Sequence, residues 1–398
     1  MRKITVTGLI LLMTILSLWS QQLAFPTTEG YGKYSKGGRG GAVYEVTNLD
    51  NSGEGSLREA IEAAGPRTVV FKVSGTIILE SPLSIKHPYI TIAGQTAPRD
   101  GICLRRYPLN IDADHVIIRY MLVRLGDESG DDYDAISGRY RKNIILDHIS
   151  ASWSVEECFS VYHCDSITVQ WCIISESMSK SNHVKGSHGF GGIWGSNYGT
   201  YHHNLLAHHS SRNPRMASGS GNTDFRNNVI YNWGYQSLYG GERQQAGNDK
   251  FNFSNFNIVA NYYKPGPATR PGEVMHRIAN PSYRNESDFG KWYISENLVE
   301  GNAEVSADNW DGGVQAEISF EKIELKNPWP SMKINQQTAE ETYGSVLENA
   351  GATLPKRDVV DSRVIKEVRG GYATFEGGSY KREHQVADSP VAWGIIDT

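Results

Sequence analysis

Through the middle of the chain, short apolar runs recur between polar turn clusters at a period that fits neither amphipathic helices nor hairpins. The repeating core is a β-rich stretch, an asparagine and two apolar residues: His203-Asn204-Leu205-Leu206, Asn227-Asn228-Val229-Ile230, Phe256-Asn257-Ile258-Val259 and Glu296-Asn297-Leu298-Val299. Successive asparagines lie 24, 29 and 40 residues apart, so the core is constant and the loops vary. Stacked coils with insertions on one side give that signature. Upstream, Tyr89–Ala93, His115–Arg119, Asn143–Asp147 and Ser166–Trp171 continue the series, rich in Val, Ile, Thr and aromatic residues. The expected fold is all-β, a right-handed parallel β-helix. Asparagine suits its turns, because an amide both donates and accepts and so can bond to the asparagine of the next coil. A β-sandwich is the competing reading, but Asn-Gly and Asp-Gly hairpin signals are scarce and the rungs lie too far apart for tight hairpins.

The pattern changes at both ends. Ser56-Leu57-Arg58-Glu59 is a capping box that opens a helix through Ala64, with Gly65-Pro66 as its stop. Such a helix would cover the open end of the stack, where bare strand edges invite aggregation. After about residue 300 the repeat fades into a polar tail with one helix around Glu340–Ala350, expected to pack back on the stack. Met1-Arg2-Lys3 followed by apolar Ile4–Trp19 predicts a signal peptide over residues 1–20. Residues 21–398 are then a single β-helix domain with a C-terminal extension from about 300, either secreted or held in the periplasm or at the cell surface. No second stretch is apolar and long enough to span a bilayer, so no membrane span is expected once the signal is removed. A monomer is expected.

Charge and cysteine usage narrow the partners. Loss of Arg2 and Lys3 with the signal moves the formal net charge from -5 to -7, which does not suit nucleic acid. Cys103, Cys158, Cys164 and Cys172 show no CxxC or Cys/His zinc spacing, so one or two disulfides or buried thiols are expected, and no zinc.

Three features bring chemistry to one stretch of the stack. Asp131-Asp132-Tyr133-Asp134-Ala135-Ile136 is followed one rung on by Asp147-His148 and then Glu156-Glu157. Carboxylates gathered from successive rungs are the hard oxygen donors a Ca²⁺ site needs, although an acidic loop is also an ordinary solvated turn. Arg212-Asn213-Pro214-Arg215 projects two guanidinium forks suited to carboxylates. The glycine-rich loop Asn182 to Gly195 allows close backbone approach to a ligand, Lys185 adds a cation and Trp194 offers a sugar-stacking face. Packing roles are favoured over a metal cluster for His202, His203, His208 and His209.

The order of Asp-x-Asp-Ala-Ile, an Ile-Leu-Asp-His strand, a glutamate one rung on, a His-His-Asn rung and the Arg-x-Pro-Arg turn resembles pectate lyases of polysaccharide lyase family 1. The resemblance covers roughly Gly37 to Pro267. It implies a calcium-dependent enzyme acting on pectic polysaccharide, with Ca²⁺ ligands at Asp132, Asp134 and Glu156, Arg212 as the proton-abstracting base, and Lys185 as the substrate-binding lysine. Two positions depart from the family pattern. A further calcium-ligand aspartate falls on Ser160, leaving the site one carboxylate short unless Glu157 is recruited. A second arginine, five residues after the base, falls on Ala217, with Arg215 or Arg226 as substitutes; Arg215 is taken as substrate-binding.

The implied reaction is β-elimination on polygalacturonate. Calcium and a lysine would neutralise the uronate carboxylate, which otherwise resists loss of the C5 proton. Arginine is an unusual base, with an ordinary pKa of about 12.5 or more; neighbouring cations would lower it and favour alkaline pH, and His183 or His209 is the alternative. Two rivals share the fold: a glycoside hydrolase, which needs two carboxylates across the bond, and a carbohydrate-binding β-helix without catalysis.

Overall fold

The computed structural model describes residues 21–181, 183–244 and 252–374; the expected signal peptide lies outside them. Each coil contributes one strand to each of three parallel stacks, as the right-handed parallel β-helix requires. One coil illustrates the plan: Val116–Arg119 in the first stack, Leu122–Arg124 in the second and Ile136–Arg139 in the third. Two long strands, Phe159–Gln170 and Ile193–His202, run through the corner between third and first stacks and join them into one sheet.

Register explains why these residues form these strands. In the first stack Ile118 pairs with Leu146, Leu146 with Val169, Val169 with Tyr201, Tyr201 with Phe225, Phe225 with Ile258 and Ile258 with Ile294. All of them are buried in one core that runs the length of the helix. Period-2 alternation puts each of these side chains inside, and each buried apolar residue of this size stabilises the fold by roughly 1.5–3 kcal/mol.

Between first and second stacks the chain turns through two residues, the first of them left-handed: Tyr120, His148, Trp171, His203, Asn227, Ala260 and Glu296 have φ between 52° and 63°. The second residue points inward, and in the later coils it is asparagine. Asn204 donates to Asn228 (3.0 Å), Asn228 to Asn261 (3.0 Å), Asn261 to Asn297 (2.8 Å) and Asn297 to Asn309 (3.0 Å). The ladder is as expected except at one rung. Its third member is Asn261, not Asn257, which lies on the strand Ser254–Val259 and bonds instead to Trp329. The inward turn position follows the strand, whereas the sequence rung placed the asparagine within it.

The first helix, Leu57–Glu62, is capped by Ser56 as expected, with Glu59 reaching back to the Gly55 amide. Buried Arg67 holds its last turn, donating to the carbonyls of Ala60 and Ile61 at 2.9 and 2.6 Å. In the tail, Ala339–Asn349 is the expected helix, opened by a Thr338/Glu341 capping box. A second long helix, Val359–Gly370, was not foreseen. Together they cover the second stack, packing Val346, Leu347, Val364 and Val368 on Ile173, Leu205, Val229 and Tyr231. All four cysteines are buried and free, the second of the two expectations.

Candidate active site

Four connections between second and third stacks build one cleft of about 350 Å³. Residues 125–135 bring Asp132 and Asp134, 153–158 bring Glu156 and Glu157, 176–192 lay His183 and His188 against Glu156, and 208–214 bring Arg212. These are consecutive coils, so the side chains are spaced by the strand separation of about 4.8 Å. Four distant segments therefore converge without any long-range search by the loops themselves.

Glu156 is the electrostatic centre. His183 Nε2 lies 2.6 Å from one of its oxygens and His188 Nε2 3.1 Å from the other, with the two imidazoles stacked at 3.7 Å. Burial alone would raise this carboxyl, but hydrogen bonds from His188 and His183 outweigh it and hold it down at about 2. Burial, and then the charge of Glu156, push the Asp134 carboxyl up to about 7, against the pull of Arg139, Arg212 and Ser160. Asp134 also accepts from the Glu157 amide at 3.0 Å. Asp132 accepts from the Val184 amide at 3.3 Å and lies 3.6 Å from His183 Nε2. Ser160, where the family pattern has an aspartate, is fully buried beside Asp134 and takes the Ile193 amide at 3.2 Å.

This donor set fits a divalent cation with oxygen preference. Burial is the larger cause of the raised Asp134 carboxyl, and the charge of Glu156 the smaller; a cation held between the two would relieve the second. Glu156, His183 and His188 also lie close enough together to suggest a nitrogen-ligated metal. The backbone argues otherwise for His183: its Nδ1 accepts from the Lys185 amide at 3.0 Å, so the proton of the neutral ring sits on Nε2 and points at Glu156. A metal-bound imidazole has the reverse arrangement.

Arg212, itself at a left-handed φ of 59°, ion-pairs with Glu157 and lies 3.9 Å from Glu156, its guanidinium 4.4 Å from the Phe190 ring. Neither alternative base is open to a substrate. His209 is fully buried between Ser177 and the Ile174 carbonyl, and burial lowers its pKa to about 3; His183 has both nitrogens engaged. Lys185 is exposed on the loop two residues from His183, outside the cleft lining. Arg215 also stands outside that lining, turned to Glu242 at 3.1 Å, and Arg226 pairs with buried Asp224 on the first stack. Trp194 offers no face to a sugar, because it is buried with its indole N–H on the Phe159 carbonyl.

Sequence reasoning missed His188 and Arg139. Nothing in a glycine-rich loop announces that it folds back on a glutamate. Arg139 was readable, since Ile136 and Gly138 alternate with Ser137 and Arg139 as a one-face-buried strand should.

No family model matches the chain. It is 36% identical over 356 residues to a probable pectate lyase C of Emericella nidulans, covering 87% of this chain and 76% of the relative. A probable pectate lyase C of Aspergillus terreus is 35% identical over 385 residues, covering 90% and 84%. Among solved structures, the major allergen of cedar pollen superposes with TM-score 0.58 at 18% identity, over 81% of this chain and 92% of the allergen. A Bacillus pectate lyase in complex with trigalacturonate gives 0.53 at 14%, over 81% and 98%.

Proposed function

The chain belongs to the pectate lyase family, and we propose that it is an exported enzyme that cleaves polygalacturonate by calcium-assisted β-elimination in the cleft of Asp132, Asp134, Glu156 and Arg212. The supporting observation is the convergence of three carboxylates and one arginine from three of four consecutive coils. Asp132, Asp134 and Glu156 would hold the ion, with Ser160 in place of a fourth carboxylate. Bound calcium supplies positive charge that neutralises the uronate carboxylate and so acidifies the adjacent C5–H. Arg212 takes the C5 proton, the C–H electron pair becomes the C4–C5 double bond, the C4–O bond breaks, and the departing oxygen takes a proton from solvent. His183 and His188 orient Glu156 from both sides. The order of the sequence motifs supports family 1 of the polysaccharide lyases, and the amino-terminal signal pattern supports export. Among the described residues no helix is long and apolar enough to cross a membrane.

The test is the ultraviolet absorbance of the 4,5-unsaturated product on polygalacturonate, with and without EGTA. Growth of that signal, lost in EGTA and restored by Ca²⁺ better than by Mg²⁺, is the expected result. Reducing ends without the unsaturated chromophore would mean hydrolysis; full activity in excess EGTA would remove calcium from the mechanism.

A further inference from the structure

The position expected to hold a second arginine is Ala217, which is buried, and both expected substitutes are committed elsewhere, Arg215 to Glu242 and Arg226 to Asp224. Arg139, in contrast, lines the cleft beside Asp134 and is exposed. It closes the strand Ile136–Arg139 in register with Tyr162, and its guanidinium sits 4.7 Å from the centre of that ring.

Tyr162 pairs in turn with Gly195, and the Ala217 amide bonds to the Trp194 carbonyl at 2.7 Å, so one outward row runs Arg139, Tyr162, Gly195, Ala217. Arginine and tyrosine occupy one end, and residues with almost no side chain the other, three strand spacings or about 14 Å away. The cation missing at Ala217 is thus matched by one at the opposite end of the row, on the coil that carries Asp132 and Asp134. A guanidinium stacked on an aromatic face keeps its in-plane N–H groups free to meet a planar carboxylate edge-on.

We propose that Arg139 is a specificity-determining residue that binds the carboxylate of the galacturonate unit at the Asp132/Asp134 end of the cleft, selecting de-esterified over methyl-esterified chain. This rests on the lyase reading of the cleft. Methyl esterification removes the charge and the second equivalent oxygen, so a guanidinium fork loses most of what it recognises.

The experiment measures binding and turnover separately in wild type, Arg139→Gln and Arg139→Lys. In the presence of Ca²⁺, Arg139→Gln is expected to bind trigalacturonate about tenfold or more weakly in calorimetry, the usual worth of a charge-assisted hydrogen bond. Its affinity for fully methyl-esterified trigalacturonate should stay within about twofold of wild type, as should kcat on polygalacturonate, while KM rises. Arg139→Lys should recover part of the trigalacturonate affinity. Equal affinity of Arg139→Gln and wild type for trigalacturonate overturns the proposal, as does an equal loss for acid and ester, which would mark a structural role. Wild type that binds trigalacturonate with this discrimination but makes no unsaturated product would instead defeat the lyase reading and leave the Arg139 assignment standing.

Discussion

The two edges of the second stack are built on opposite principles. Where the first stack turns into the second, every connection from Tyr120 onward is two residues long, and the later ones are locked by the Asn204–Asn228–Asn261–Asn297 amide ladder. Where the second stack turns into the third, the connections 125–135, 153–158, 176–192 and 208–214 differ in length and carry every cleft acid and Arg212. The second edge is held by charge instead. Glu176 takes Arg363 on both oxygens (2.6 and 2.7 Å) and the Trp153 indole N–H (3.0 Å), while Glu367 takes Arg363 (2.9 Å) and His208 (2.9 Å). Trp153, Glu176 and His208 are the left-handed residues at the roots of three site loops. Short two-residue turns maintain the stack, and variable loops on ionic roots carry the cleft residues.

The largest effect should come from breaking the loop edge at its centre. Arg212→Lys keeps a positive charge but replaces a rigid fork with a point donor on a flexible stem. Turnover on polygalacturonate is expected to fall on the order of 10² to 10⁴ fold, with the circular dichroism spectrum and thermal midpoint unchanged. Near-normal kcat in this variant would mean that charge alone, not a base at a fixed point, is what Arg212 provides.

The converse change strikes the other edge. Asn228 accepts from the Asn204 amide N–H and side chain and donates to the Tyr201 carbonyl, all within the core. Asn228→Leu should cost about 3 kcal/mol in denaturant unfolding, because each orphaned buried polar group costs roughly 1–3 kcal/mol. At a temperature where the variant is folded, kcat should stay within about twofold of wild type. A large loss of kcat without loss of stability would show that the two edges are not separable.

These edges were unequally legible in the sequence. Strand composition and the recurring asparagine exposed the stack, because burial and period-2 alternation act on every coil alike. Asn261 was missed because Asn257 sits in a similar Asn-Ile-Val context, and only the register tells a strand position from a turn position. At the site, Asp132, Asp134, Glu156 and Arg212 were readable from motif order, and the structure brings them to one cleft. The diversion of Arg215 to Glu242, the paired imidazoles on Glu156 and the burial of Trp194 depend on contacts between loops whose lengths vary freely. The helix Val359–Gly370 was missed because its apolar residues are interleaved with Asp361, Arg363 and Glu367, which read as a solvated face but are buried or half-buried, Arg363 and Glu367 against the loop roots and Asp361 on Arg124 and Ser150.

A smaller effect within the loop edge distinguishes ion binding from base catalysis. Asp134→Ala removes one carboxylate from the crowded set and should raise the Ca²⁺ concentration for half-maximal activity on the order of 10² fold, with partial rescue at high Ca²⁺. Wild-type calcium dependence in this variant would exclude Asp134 as a ligand.

The smallest effect tests whether the loop edge is acid-sensitive because its roots are ionic. Burial would raise the Glu367 carboxyl, but His208, Thr374 and Arg363 outweigh it and hold it at about 2, below its ordinary value of 4.5. A carboxyl depressed on folding contributes stability that is fully present above the unfolded value and is lost as pH falls through the folded one. The window is therefore about pH 4.5 down to 2, and the loss across it should be on the order of 2 kcal/mol. Asparagine amides do not titrate in that range, so the ladder should contribute nothing to the slope. Glu367→Gln should flatten stability against pH between those limits, whereas Asn228→Leu should lower the whole curve by a constant amount. Hydrogen exchange at pH 3 should then open the amides of residues 208–214 and 359–370 before those of the first stack. If Glu367→Gln leaves the slope unchanged, other carboxylates set the acid limit and the ionic roots are packing, not a pH-dependent clasp.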